Sequence, residues 1–258
     1  MIRDEHIRFI ESKLSDLMHE IVVTINLLGD GLEFYAASEY MLQSLLLRMT
    51  GAQEQKMKCI CWELATDDLA YRYKRYYQKW ELGECSTLVH KTAIFGDLLN
   101  GILQKEPTYK LFPNPNDKIL MRDHILLEVN EVFLNTNIAK VYKAKYEEFI
   151  TIWSNLATGN ITCGSPNEMF HAGRKENTFF NLIDDEHLYA IYMLMYQARN
   201  RYAHNAVSYQ LNLPRFYEIN DDMYQKFNNI FLFYAELLLI DEIFRTLFEK
   251  YKSVVEFA

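Results

Sequence analysis

The sequence predicts an all-α fold, a compact multi-helix bundle, and three observations carry that expectation. Apolar residues recur at i, i+3, i+4 and i+7 along almost the whole chain, the pattern of one buried helical face. Glycine and proline number only 9 and 5 in 258 residues, whereas an all-β chain needs a turn residue every ~8–12 positions. No segment alternates apolar and polar residues over a useful strand length. Half of the residues are hydrophobic and 14% are aromatic, which suffices for a large core and excludes a disordered or linker-rich chain.

Taken in order, a first helix is expected over 4–28, stopped by Gly29-Asp30-Gly31, and a second over 32–50 with Gly51 as its C-terminal signal. A third covers 54–64. Thr66 or Asp67 caps a fourth that runs to Trp80, and Ser86 caps a fifth that reaches Lys105. Pro107, Pro113 and Pro115 then interrupt the pattern, so the loop 106–115 is the one place where a single 1–258 domain would subdivide. Asn116 caps a helix to Leu134, and another spans 138–156. Residues 159–178 read as a loop centred on Gly164, Ser165 and Pro166. Asp184 starts a helix that ends at His204, and after a loop around Pro214, Asn220 opens a long final helix. The count is about nine helices.

The charge balance of 27 basic against 35 acidic side chains gives −8 at pH 7. That acidity argues against a protein that coats nucleic acid nonspecifically, and leaves room for a local basic cleft. The four cysteines, Cys59, Cys61, Cys85 and Cys163, show neither C-x-x-C nor zinc-finger spacing, so reduced, core-filling thiols are expected. The N-terminal segment is charged from Arg3 onward and has no apolar run of the signal-peptide kind. The most apolar stretch, IFLFYAELLLI at 230–240, contains Glu236 and falls short of the ~20 residues that cross a membrane. The expectation is a soluble, cytoplasmic protein with no membrane partner.

Phosphate-binding glycine loops, the G-x-S-x-G elbow and H-E-x-x-H are all absent. Asp184-Asp185-Glu186-His187 reads either as metal ligands or, as we favour, as an acidic first turn that complements a helix dipole. His6, His19, His90, His124 and His171 have no partner at ligand spacing. No metal and no cofactor are expected.

One segment concentrates chemistry. Arg199-Asn200-Arg201-Tyr202-Ala203-His204-Asn205 gathers two guanidiniums, two amides and an imidazole within two helical turns. These groups suit phosphodiester cleavage without metal: arginine grips phosphate oxygens in a fork and neutralises the phosphorane. Histidine, titrating near neutrality, moves the proton of a ribose hydroxyl or leaving group. The plainer alternative is a helix C-terminus whose Arg and His satisfy the dipole and last carbonyls.

Arg199-Asn200-Arg201-Tyr202-Ala203-His204 resembles the R-N-x-x-x-H motif of the HEPN superfamily, all-helical proteins marked by Arg, four to six residues, then His. Here the bundle would carry extra N-terminal helices. The resemblance implies a metal-independent RNA endonuclease of toxin–antitoxin or antiphage-defence type, a homodimer whose two motifs line one cleft, with an antitoxin or sensor protein as a further partner. It makes Arg199 and His204 catalytic and Asn200 the supporting polar residue. It also leaves a second reading, a HEPN-like module without catalysis that binds nucleotide or RNA or serves as a helical interaction partner. Some members carry His-x-Tyr, where the tyrosine accepts adenylate; here that position is Ala206.

Helix geometry adds an independent expectation. Stepping ~100° per residue from Leu188 places Ile191, Tyr192, Met195, Ala198 and Tyr202 within ~80° of it, with Arg199 at ~20°. Arg201 falls at ~220°, beside Gln197 and Ala190, on the solvent side. Tyr189, Met193, Tyr196, Asn200 and His204 form a second stripe at ~80–160°. The combined arc exceeds ~200°, more than one amphipathic contact of ~100° uses, so this helix is expected to be covered on two sides, one of them by a second copy. Arg199 in an apolar arc requires a partner. It also stands ~140° from His204, so bringing Arg and His to one phosphate calls for two protomers or for a helix distortion near Tyr202.

A second basic feature is the segment 71–80, YRYKRYYQKW. Arg72, Arg75 and Lys79 share a helical face and, with Arg201, are the candidate RNA-binding side chains, and the interleaved tyrosines are able to stack on bases. A solvated basic face with aromatic core packing is the plainer reading, and the one we prefer.

Overall fold

The computed structural model describes residues 2–27, 31–77, 85–156, 169–171, 183–184, 186–204 and 222–256, and the fold is all-α. The helices are α1 (Ile2–Glu11), α2 (Ser15–Asn26), α3 (Leu32–Asp67), α4 (Leu69–Tyr77), α5 (Leu88–Lys105), α6 (Pro115–Phe133), α7 (Asn137–Val141), α8 (Lys143–Asn155), α9 (Glu186–His204), α10 (Asp222–Phe227) and α11 (Ile230–Glu256). Two short strands, β1 (Met169–His171) and β2 (Ile183–Asp184), pair in parallel through Met169↔Ile183 and His171↔Asp184.

The axis of the bundle is α11. Every residue from Phe231 to Asp241 is buried, because apart from Glu236 and Asp241 this stretch is apolar on all sides and packing on all sides is its stable solution. Around it stand α5, α3, α6, α9, α8 and α1. Phe231 makes edge-on ring contacts with Phe133 of α6 and Tyr146 of α8 at 5.2 Å, so three helices meet on one aromatic side chain. Helices α5 and α6, on either side of the 106–115 loop, contribute to one contiguous core. No helix among the described residues is long and apolar enough to cross a membrane.

Several boundaries differ from expectation, each for a local or tertiary reason. The helix expected over 4–28 is two helices. The break at Ser12–Leu14 is held by a buried ion pair, Lys56 Nζ to Asp241 Oδ1 at 2.7 Å. Lys56 also donates to the Ser12 carbonyl, and Asp241 Oδ2 accepts from Leu14 N. Conversely, 32–50 and 54–64 are one helix that runs through Gly51, since Met49, Gln53, Lys56 and Met57 on both sides are anchored in the interior.

Caps fall near but not on the expected residues. Asp68, not Thr66 or Asp67, receives Ala70 N and Tyr71 N at the start of α4. Thr87, not Ser86, accepts from His90 N. Asn114 stands before Pro115, its N–H bonded to Asp117, where Asn116 was expected to cap. Residues 138–156 break at Tyr142 between α7 and α8. The final helix does not run unbroken from Asn220, because Asn229 interrupts it. Its side chain accepts from Phe231 N and donates to the Lys145 carbonyl of α8.

Asp184 lies in β2 and does not open α9, and β1 falls within the segment expected to be loop. The Gly164-Ser165-Pro166 centre, Cys163, and the loop around Pro214 lie outside the described residues. Cys59, Cys61 and Cys85 are not joined in disulfides among the described residues.

Candidate functional site

Helix α9 buries Leu188, Ile191, Tyr192, Met195 and Ala198, the face expected from its periodicity. Tyr202 packs against the same core at its edge. On the other side, Tyr189 remains 50% and Met193 37% exposed, while Tyr196 is half-buried. Exposed His204 ends the helix.

Arg199 sits between these two faces, its side chain 29% exposed. Nη1 donates to Asn200 Oδ1 at 3.1 Å, and Nη2 lies 3.9 Å from Glu54 Oε2 on α3. The other Glu54 oxygen pairs with Lys58 at 2.9 Å. The guanidinium expected to need a partner has one, though at 3.9 Å and partly exposed the contact is an ion pair of the weak class, ~0–1 kcal/mol. It orients Arg199 more than it stabilises the fold. Arg201, expected on the solvent side, is half-buried, close enough to Tyr202 for its charge to oppose the burial that raises the phenol's pKa.

Behind Arg199 lies a polar centre that reasoning from the sequence missed. Gln53, fully buried on α3, accepts from Lys91 Nζ of α5 and donates to the Leu237 carbonyl of α11 at 3.0 Å. Lys91 is only 3% exposed, and its ammonium lies 5.0 Å from the centroid of the Tyr192 ring on α9. Tyr192 in turn donates to the Ser86 carbonyl at 3.0 Å. Burial pulls the Lys91 pKa down to about 7; Glu54, Glu236 and Cys85 oppose that shift, and Arg199 adds to it. Glu236 is completely buried on α11. Helices α3, α5, α9 and α11 therefore each contribute a polar or charged side chain to one low-dielectric region that ends at Arg199.

The signals for these residues were present. Lys91 stands on the apolar i, i+3, i+4 row with Ile94, Phe95 and Leu98 of α5, and Glu236 interrupts an otherwise apolar run. A charge on a core face marks a buried polar centre.

The structure places Arg199, Asn200, Arg201 and His204 on the last turn and a half of α9. It does not bring Arg199 and His204 of one chain together: five residues of helix separate them by ~7.5 Å of rise and ~140° of rotation. In the second basic segment, exposed Arg72 donates through Nε to the Ala65 carbonyl at 2.7 Å, so it serves the C-terminal end of α3. Tyr71 is half-buried and Tyr73 exposed. The Arg75 side chain and Lys79 lie outside the described residues. Of the run 184–187, His187 packs its ring against Phe227 at 5.2 Å. Among the described residues no group of three His, Cys, Asp or Glu side chains is placed to hold a metal.

Comparison with protein-family models, curated proteins and solved structures gives no match for this chain.

Proposed function

We propose that this protein is a metal-independent RNA endonuclease of HEPN type, acting as a homodimer. The observation that supports it most is the condition of Arg199, whose guanidinium is partly open at the surface and oriented by Glu54 and Asn200 beside a buried polar centre. A held guanidinium loses little freedom on gripping phosphate, and acts in a lower dielectric than a fully solvated one. In this reading His204, exposed at the helix end, takes the proton of a ribose 2′-hydroxyl as that oxygen attacks phosphorus. Arg199 stabilises the charge that grows on the phosphoryl oxygens. The bond from phosphorus to the 5′-oxygen breaks as the 2′-oxygen bond forms, the 5′-oxygen takes a proton from solvent water, and the products are a 2′,3′-cyclic phosphate and a 5′-hydroxyl.

Because Arg199 and His204 of one chain diverge, the dimer supplies one group from each copy, and the exposed Tyr189 and Met193 lie on the helix that would meet its twin. An antitoxin or sensor partner and a cytoplasmic setting belong to the same proposal. Single-stranded RNA incubated with the protein in EDTA tests it. Cleavage to cyclic-phosphate ends is expected, and His204→Ala should abolish it with helical circular dichroism unchanged. Loss of wild-type cleavage in EDTA, or full cleavage by His204→Ala, contradicts the proposal.

One observation favours the second reading, a HEPN-like module that binds RNA or nucleotide without cutting it. Glu54 and Asn200 already occupy donors of Arg199 that phosphate would use. That reading predicts retention of RNA without products in the same assay.

A further inference from the structure

The polar centre holds a buried amine that the chemistry proposed for Arg199 and His204 does not use. Lys91 reaches from α5 across the bundle to Gln53, and Gln53 precedes Glu54 in α3. Gln53 turns inward to Lys91 and Leu237, while Glu54 turns outward to Lys58 and Arg199. Two consecutive α3 residues thus tie the buried amine to the guanidinium at the surface. The groups that act on Lys91 come from every packed element: Glu54 from α3, Glu236 from α11, Cys85 from the segment before α5, and Tyr192 and Arg199 from α9. His90 is its neighbour on α5 itself.

We propose that Lys91 is a positioning residue for Arg199: the charge on its amine sets how firmly the shared carboxylate of Glu54 holds the guanidinium. When Lys91 is protonated, it repels Arg199 and draws on the field of Glu54, so the Arg199–Glu54 pair loosens. When Lys91 is neutral, Glu54 acts on Arg199 and Lys58 alone, and the guanidinium is held. The surroundings of Lys91 put this change near neutrality, since burial brings its pKa to about 7. An amine exposed to water, at ~10.4, would stay charged throughout the range in which the protein works. As pH falls through 7, Arg199 is released from Glu54; as pH rises, it is fixed.

The proposal builds on the reading of Arg199 as the phosphate-binding group, but its test needs neither RNA nor turnover, so the two fail separately. The side-chain Nε–H signal of Arg199, identified by its loss in Arg199→Lys, is followed by ¹H–¹⁵N NMR from pH 5.5 to 9 in the full chain. A His204→Gln background removes the imidazole that ends the same helix. The signal is expected to shift with one midpoint near the Lys91 pKa of about 7. In Lys91→Met the shift should vanish, although His90 is retained. Because Lys91→Met opens a gap beside buried Gln53, Glu54→Gln at the more accessible site provides a second arm. Removing the shared carboxylate leaves Arg199 no ion pair to loosen, so the shift should shrink to the direct field of Lys91 and its midpoint should move to lower pH, since Glu54 raises the Lys91 pKa. An Arg199 signal independent of pH, a transition that survives in Lys91→Met, or one that keeps its full size and midpoint in Glu54→Gln, overturns the proposal.

Discussion

At the scale of single residues, two glycines of the same helical character respond oppositely to a methyl group. A Cβ built at Gly51, inside α3, meets no atom within 4 Å, whereas one at Gly101 of α5 falls 2.9 Å from Cε2 of Tyr251. Tyr251 is buried, so its ring has little room to yield. Gly51→Ala should therefore stabilise the fold by ~0.5–1 kcal/mol, the helix preference of alanine over glycine. Gly101→Ala should cost ~1–3 kcal/mol through overpacking. Urea unfolding of both variants checks the pair, and equal effects would contradict the packing described around α5. Residue-level reading of the sequence put Arg199 in the middle of the apolar arc of α9, whereas the structure leaves its side chain partly exposed between two faces, because a long guanidinium reaches out to Glu54 and Asn200. It overlooked Lys91, Gln53 and Glu54 because what makes them a group is the meeting of α3, α5 and α9, which no local pattern encodes.

At the scale of elements, the same distinction separates what was legible from what was not. The apolar row of α9 and its end at His204 are written locally in residues 186–204, and the structure has them there. The breaks are set from far away. Ser12–Leu14 is held by Lys56 and Asp241, and Asn229 is drawn to α8. Gly51 looked like a helix end only because its neighbours' burial was not visible. The Lys56–Asp241 pair gives a direct test of how such a remote partner shapes an element. Burial lowers the Lys56 pKa and raises that of Asp241, so each charge depends on the other. Lys56→Met leaves Asp241 buried without its cation and should cost ~3–5 kcal/mol in urea unfolding at pH 7. Lys56→Met/Asp241→Leu together should recover part of that loss, because no buried charge is then left unmatched. A single variant within ~1 kcal/mol of wild type would show that the α1–α2 break does not rest on this pair.

At the scale of the whole molecule, the all-α architecture followed from composition and periodicity, whereas the central place of α11 was not read from the sequence, although its 230–240 run, apolar but for Glu236, has to be surrounded. The proposed function calls for a larger unit still. In it the divergence of Arg199 and His204 on α9 is met by a second copy, and Tyr189 and Met193 lie open on that helix. Light scattering at micromolar concentration should give the mass of a dimer, and Tyr189→Glu with Met193→Glu should give that of a monomer and lose cleavage together. A monomeric wild type would remove the composite site. The most direct test of the central claim compares the two arginines of the motif by single-turnover cleavage of one short RNA in EDTA. In the proposed function Arg199, which Glu54 and Asn200 orient, stabilises the phosphate, and Arg201 has no role there. Arg199→Ala should then slow cleavage by at least ~10²-fold, the scale of losing one transition-state donor. Arg201→Ala should keep its cleavage rate and lose only salt-dependent RNA affinity. An inactive Arg201→Ala beside an active Arg199→Ala would contradict the account.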